Sequence, residues 1–190
     1  MTSFVSRSGR ILASVTVGVF GIALATTLPT ATASGFVRGL VVFGFLSVAA
    51  YAAFWRPRLD VDDNGVTVRN PFSTHRIEWG AIERIDTKWG LTFFVGTRAI
   101  SVWAAPAPGR HAAATASRDL GSHLPESTYL AGTVRPGDLV STESGGAAAI
   151  VRRHWERRES DTGAICTTRS YGLVGLVSAL GIAAAIAVSL

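Results

Sequence analysis

The stretch that decides the fold is Leu59–Pro71, LDVDDNGVTVRNP. Leu59 and Val61 alternate with acidic residues, and Val66 and Val68 alternate with Thr67 and Arg69, the period of two that marks a half-buried strand. Between the two runs stands Asn64-Gly65, a pair that accepts the positive φ angles of a tight hairpin turn. Pro71 has no amide to donate to a ladder, so it ends the second strand. The alternation continues outward: HRIEW runs through Ile77 and Trp79, IERID through Ile82 and Ile85, and LTFFV and RAISVW flank Gly96-Thr97. Six short strands at this spacing predict an antiparallel sheet curled into a sandwich or barrel.

RIEWGAIERIDTKWG, Arg76–Gly90, mixes acids, bases and tryptophans. Its spacing assigns Trp79, Ile82 and Ile85 to the core, where burying such a side chain yields about 1.5–3 kcal/mol. Glu78, Glu83, Arg84 and Asp86 then take the wet side of a sheet edge or turn. Beyond Trp103, which is also assigned to the core, the Ala, Gly, Pro, Ser and Thr content rises, and residues 106–144 read as a long excursion in which STYLAG offers one more strand. Structure resumes with a helix over 145–159. There Ala147, Ile150, Val151, His154 and Trp155 share one face, while Arg152, Arg153, Glu156, Arg157 and Glu159 fill the rest of the arc.

The rest of the 190-residue chain is dominated by three apolar runs: ILASVTVGVFGIALATT from Ile11, GLVVFGFLSVAAYAAFW from Gly39, and YGLVGLVSALGIAAAIAVSL from Tyr171. About 20 apolar residues cross the roughly 30 Å of bilayer hydrocarbon. A middle segment of this size has too little surface to bury three helices without polar faces. Transmembrane helices are therefore expected at 11–31, 36–55 and 171–190. The first also has the parts of a signal peptide, with ATA at Ala31–Ala33 as a cleavage site, and the sequence leaves its removal open.

Arg56 and Arg58 follow the second run, and Arg152, Arg153, Arg157, Arg158 and Arg169 precede the third. The positive-inside rule then puts the N-terminus and the middle segment in the cytoplasm and the C-terminus outside. Arg38 is the dissenting charge and reaches its interface by snorkelling. Gly175, Ala179, Ala183 and Ala187 recur every fourth residue, a face that allows close approach of another helix and hence a homo-oligomer. No acidic residue lies within a span, so a proton or cation pathway has no carrier.

Net charge is +5, but the bases are arginines apart from Lys88, and no basic run is interleaved with aromatics as a nucleic-acid surface requires. The single cysteine, Cys166, excludes an internal disulfide and a cysteine metal site.

The run VDDNGVTVRNPFSTHRIEWGAIERID followed by FFVGTRAISVWA, set among membrane helices, resembles the bacterial pleckstrin-homology-like (PH-like) domains of small actinobacterial membrane proteins of the low-molecular-weight-antigen type. The likeness covers about Arg58–Ala105. It implies two bent sheets closed by a C-terminal helix that often carries a tryptophan, the place Trp155 would take. The expected architecture is membrane α plus β: three transmembrane helices and a cytoplasmic PH-like antiparallel β-sandwich or barrel over 56–160, closed by an amphipathic helix.

No catalytic, metal or cofactor constellation emerges. Ser73, His75 and Asp86 make a triad only on paper, without a nucleophile elbow. His111 and His123 lack ligand spacing, and Asp62-Asp63 does not open a calcium loop. Binding is the class that remains: a protein-interaction or assembly module at the membrane, or a contact with anionic lipid headgroups through a juxtamembrane collar of Arg56, Arg58, Arg152, Arg153, Arg157 and Arg158. Fifteen bases against thirteen acids between Trp55 and Ser170 favour the former. The partners expected are membrane lipid and a protein, with no nucleic acid.

Overall fold

The computed structural model describes residues 2–27, 32–107, 142–158 and 162–189. They divide into two compact units, one of Met1–Ser6, Pro57–Asn70 and Thr74–Thr168, the other of Arg7–Arg56, Pro71–Ser73 and Arg169–Leu190.

The first unit is built on the alternating segments. Strands β2 (Arg58–Asp62) and β3 (Gly65–Arg69) pair antiparallel with Val61 opposite Val66 and Leu59 opposite Val68. β4 (Ser73–Glu78) pairs with β3, setting Ile77 beside Val66. A single turn of 3-10 helix, Trp79–Ala81, leads to β5 (Arg84–Asp86), β6 (Gly90–Val95) and β7 (Arg98–Pro106), which form a second, three-stranded antiparallel sheet. A helix, here α3 (Glu143–Glu156), starts at Thr142, whose hydroxyl accepts from Gly145 N at 3.0 Å.

Two strands join the first sheet from outside the alternating region. β1 (Thr2–Phe4) lines up against β2, and β8 (Ile165–Arg169) takes the far side of β4, giving the order β1-β2-β3-β4-β8. Glu78 N donates to Ala164 O at 3.1 Å while His75 Nδ1 lies 3.0 Å from Thr167 Oγ1, so β4 and β8 run in opposite directions.

One buried cluster takes side chains from both sheets and α3: Leu59, Val68, Ile77, Phe93, Val102 and Val151 are among them. Val66, Trp79 and Ile82 are buried in it, and Ile85 and Trp155 pack against it half-buried. Trp103 is not in the core but 52% exposed. β7 turns Ile100, Val102 and Ala104 inward, and the strand period sends Ser101 and Trp103 out. The inward arc of α3 is likewise rotated from the expected one: Ser144, Ala147, Ala148, Val151 and Arg152 are buried, and Ile150 is half-buried.

The hairpin at the start of the fold turns differently from the sequence expectation. Its loop residues are Asp63 and Asn64, neither of which has positive φ. Asp62 Oδ1 accepts from Asn64 N at 3.0 Å and Gly65 N at 3.1 Å, so an aspartate side chain closes the turn. Gly65 is needed for another reason: a Cβ there would collide with the Ile77 carbonyl oxygen of β4.

The second unit contains α1 (Arg7–Thr27), α2 (Ala33–Ala50) continued by a π-helical turn at Tyr51–Trp55, and α4 (Tyr171–Ser189). Spans of 21, 23 and 19 residues make all three long and apolar enough to cross a membrane. Both α1 and α4 pack on α2. On α4 the face toward α2 carries Gly181, where a Cβ would stand 3.2 Å from the Phe45 ring, and the buried Ala184. Gly175 and Ala179 are exposed, and Ala183 and Ala187 half-buried.

Candidate binding cleft

A cleft of about 620 Å³ opens in the first unit between the β2–β3 turn, the end of β4 with the turn after it, and the last turn of α3. The Arg76 guanidinium spans its strand side, donating to both carboxylate oxygens of Asp62 and, at 3.0 Å, to Thr67 Oγ1. That hydrogen-bonded pair, helped by the amides of Asn64 and Gly65, holds the Asp62 carboxyl below its ordinary range and raises Arg76 above its own. Trp79 forms the floor. Its Nε1 donates to Asp62 O at 3.0 Å, and its ring stacks on His154 with centroids 5.8 Å apart and planes 16° from parallel.

From the helix side, His154 Nδ1 lies 3.0 Å from Ile150 O; a carbonyl only accepts, so Nδ1 carries the proton. Arg157 is exposed, while Arg158 lies 4.4 Å over the Trp155 ring and donates to Trp155 O at 3.1 Å. Trp155 in turn donates from Nε1 to Ile82 O at 2.8 Å, which fixes the end of α3 on the turn after β4. Glu78 and Asp63 complete the rim with negative charge. Glu78 Oε2 accepts from Ala164 N at 2.8 Å. The cleft thus presents both signs of charge, with several of its groups tied into the fold.

The six arginines expected in a collar stand in different local settings. Arg152 is only 8% exposed, because the rotation of α3 places it among the buried alanines. Arg157 and Arg158 share the cleft, and Arg153 is exposed outside its lining. Arg58 is half-buried in β2. In the helical unit, Arg56 donates to Pro71 O at 2.8 Å and to Ser170 Oγ at 2.6 Å. His75 and Asp86, joined on paper in a triad, fall in different sheets. Asp86 Oδ1 accepts from the amides of Thr87 and Lys88. Burial, with the charge of Arg98, pushes His75 below its ordinary value. Among the described residues no group of three His, Cys, Asp or Glu side chains is placed to hold a metal. His111, His123 and the STYLAG segment lie outside them.

Sequence reasoning missed Arg76 and His154 as cleft residues, since their meeting depends on α3 packing back onto the first hairpin. It also missed Trp89, which is 85% exposed at the turn between β5 and β6, with Lys88 Nζ 5.8 Å from the centre of its ring. Its position between Lys88 and Gly90, outside any alternating run, was the available signal.

The family comparison bears on the middle of the chain. Residues 56–137 match the family model of the bacterial PH domain. The match takes in β2 to β7, whereas β1, α3 and β8 lie outside it. Searches among curated proteins and among solved structures returned no match.

Proposed function

We propose that the chain is a non-enzymatic integral membrane protein that presents its PH region at the cytoplasmic face for protein–protein interaction or assembly. The carrying observation is the placement of that region between two apolar helices on one side and a third on the other. Much of their apolar surface is left uncovered by the protein: Ile22 is 68% exposed, Ile182 64% and Val188 76%, which suits lipid as the surrounding medium.

β1 supports the topology. It precedes α1, β2 follows α2, and the two pair in one sheet, so a helical hairpin that enters the bilayer and returns fits the chain path. Arg7, Arg10, Arg56 and Arg58 mark the ends of that hairpin, in keeping with the cytoplasmic side. Protein recognition is favoured over the collar because Arg152 is buried and the cleft is mixed in charge, while Trp89 and Trp103 offer exposed aromatics of the type that carry binding energy at interfaces.

The test is site-specific photocrosslinking in native membranes from residue 89 or residue 157 of the full chain. A discrete protein adduct that W103A weakens is the expected result. Adducts to lipid alone would remove the protein-interaction reading.

A further inference from the structure

The α1/α2 pair encloses a groove of about 440 Å³, lined by Val17 and Gly18 on α1 and by Ser47, Tyr51 and Trp55 on α2 and its π-helical turn. The surface exposed in it is overwhelmingly apolar. On α1, Arg10 lies three and four residues before the lining Ala13 and Ser14, so it extends the same face. Its guanidinium stands 5.4 Å from the centre of the Trp55 ring, and among the described residues its buried Nε meets no hydrogen-bond acceptor. The guanidinium carries a positive charge at the end of the groove, and the helices cannot supply a carboxylate to it: the first acidic residue of the chain is Asp60.

We infer that this groove holds one phospholipid with an anionic headgroup, its acyl chain along Val17 and Gly18 and its phosphate at Arg10. The inference rests on membrane insertion of α1 and α2. An apolar slot ending in arginine, tryptophan and tyrosine matches the order of a lipid from tail to headgroup, with the aromatic rings at the interface. A second copy of α4 does not fit the cationic end, since Tyr171–Ser189 contains no charged residue. Gly18 keeps the slot open: a Cβ there meets nothing within 4 Å.

The full-length protein, extracted in mild detergent, is titrated with phosphatidylglycerol or phosphatidylcholine and read by native mass spectrometry. One phosphatidylglycerol is retained per chain in preference to phosphatidylcholine. Gly18→Leu, whose side chain has room to enter the groove without moving a helix, weakens retention of both lipids at least about tenfold. Arg10→Gln leaves retention but lowers the preference for phosphatidylglycerol about fivefold. Equal retention of the two lipids by the wild type, or a Gly18→Leu chain that binds like it, overturns the site. Alkaline carbonate extraction separates the two readings: release of the chain from membranes overturns insertion and the lipid site together, whereas a chain that resists extraction but ignores Gly18→Leu overturns the site alone.

Discussion

Asp62 closes the first turn through two backbone amides and binds Arg76 through both oxygens. Asp62→Ala is expected to cost about 1–2 kcal/mol, a modest figure because the Arg76 side chain is 40% exposed and solvent screens the pair. Since the folded carboxyl titrates below 3.8, the contribution is intact above that pH and is lost as pH falls through the lower folded value. His75 acts in the same direction at higher pH. Partial burial and Arg98 lower it from 6.5, so its contribution is present above 6.5 and disappears as acid drives the half-buried ring to protonate. Thermal midpoints of the wild type and H75Q across pH 4.5 to 7.5 check this: the variant should show a flatter slope below about 6.5. At Gly65 the obstacle is steric, and Gly65→Ala should cost about 1–3 kcal/mol in chemical denaturation because the Ile77 carbonyl cannot move without breaking the β3–β4 register. The hairpin was legible from Asn64-Gly65, but its centre was not, because the Asp62 side chain and the crowding from β4 outrank local φ preference.

At the scale of elements, strands such as β3, with Val66 and Val68 inward, and β7, with Ile100, Val102 and Ala104 inward, were readable because a period-two pattern records the burial of one face directly. β1 and β8 were not: TSF and ICTTR carry no apolar alternation, and their places come from pairing with distant partners. The same logic separates Phe93, in the LTFFV run, from Trp103, which the sequence assigns to the core. Phe93 is fully buried, so Phe93→Ala is expected to cost about 3–5 kcal/mol. Trp103→Ala faces outward and should stay within about 1 kcal/mol. Equal losses in urea or thermal unfolding would contradict the assigned phase of β7. β1 also bears on processing. Phe4 packs on the core and Ser6 donates to Glu143 at 2.8 Å, so removal of residues through Ala33 would strip an edge from the sheet. The intact mass of membrane-extracted protein should retain α1.

For the molecule as a whole, the apolar runs announced themselves by length and composition, and the flanking arginines are what support the proposed cytoplasmic position of the PH region. The cleft stayed hidden because it joins residues far apart in sequence, Asn64 with Arg157, and no local pattern encodes that meeting. Cys166, the single cysteine, lies exposed in β8 and offers a native probe of sidedness. Intact cells treated with a membrane-impermeant maleimide should leave Cys166 unlabelled, with full labelling only after the membrane is opened. Labelling of Cys166 in sealed cells would place the PH region outside and contradict the account.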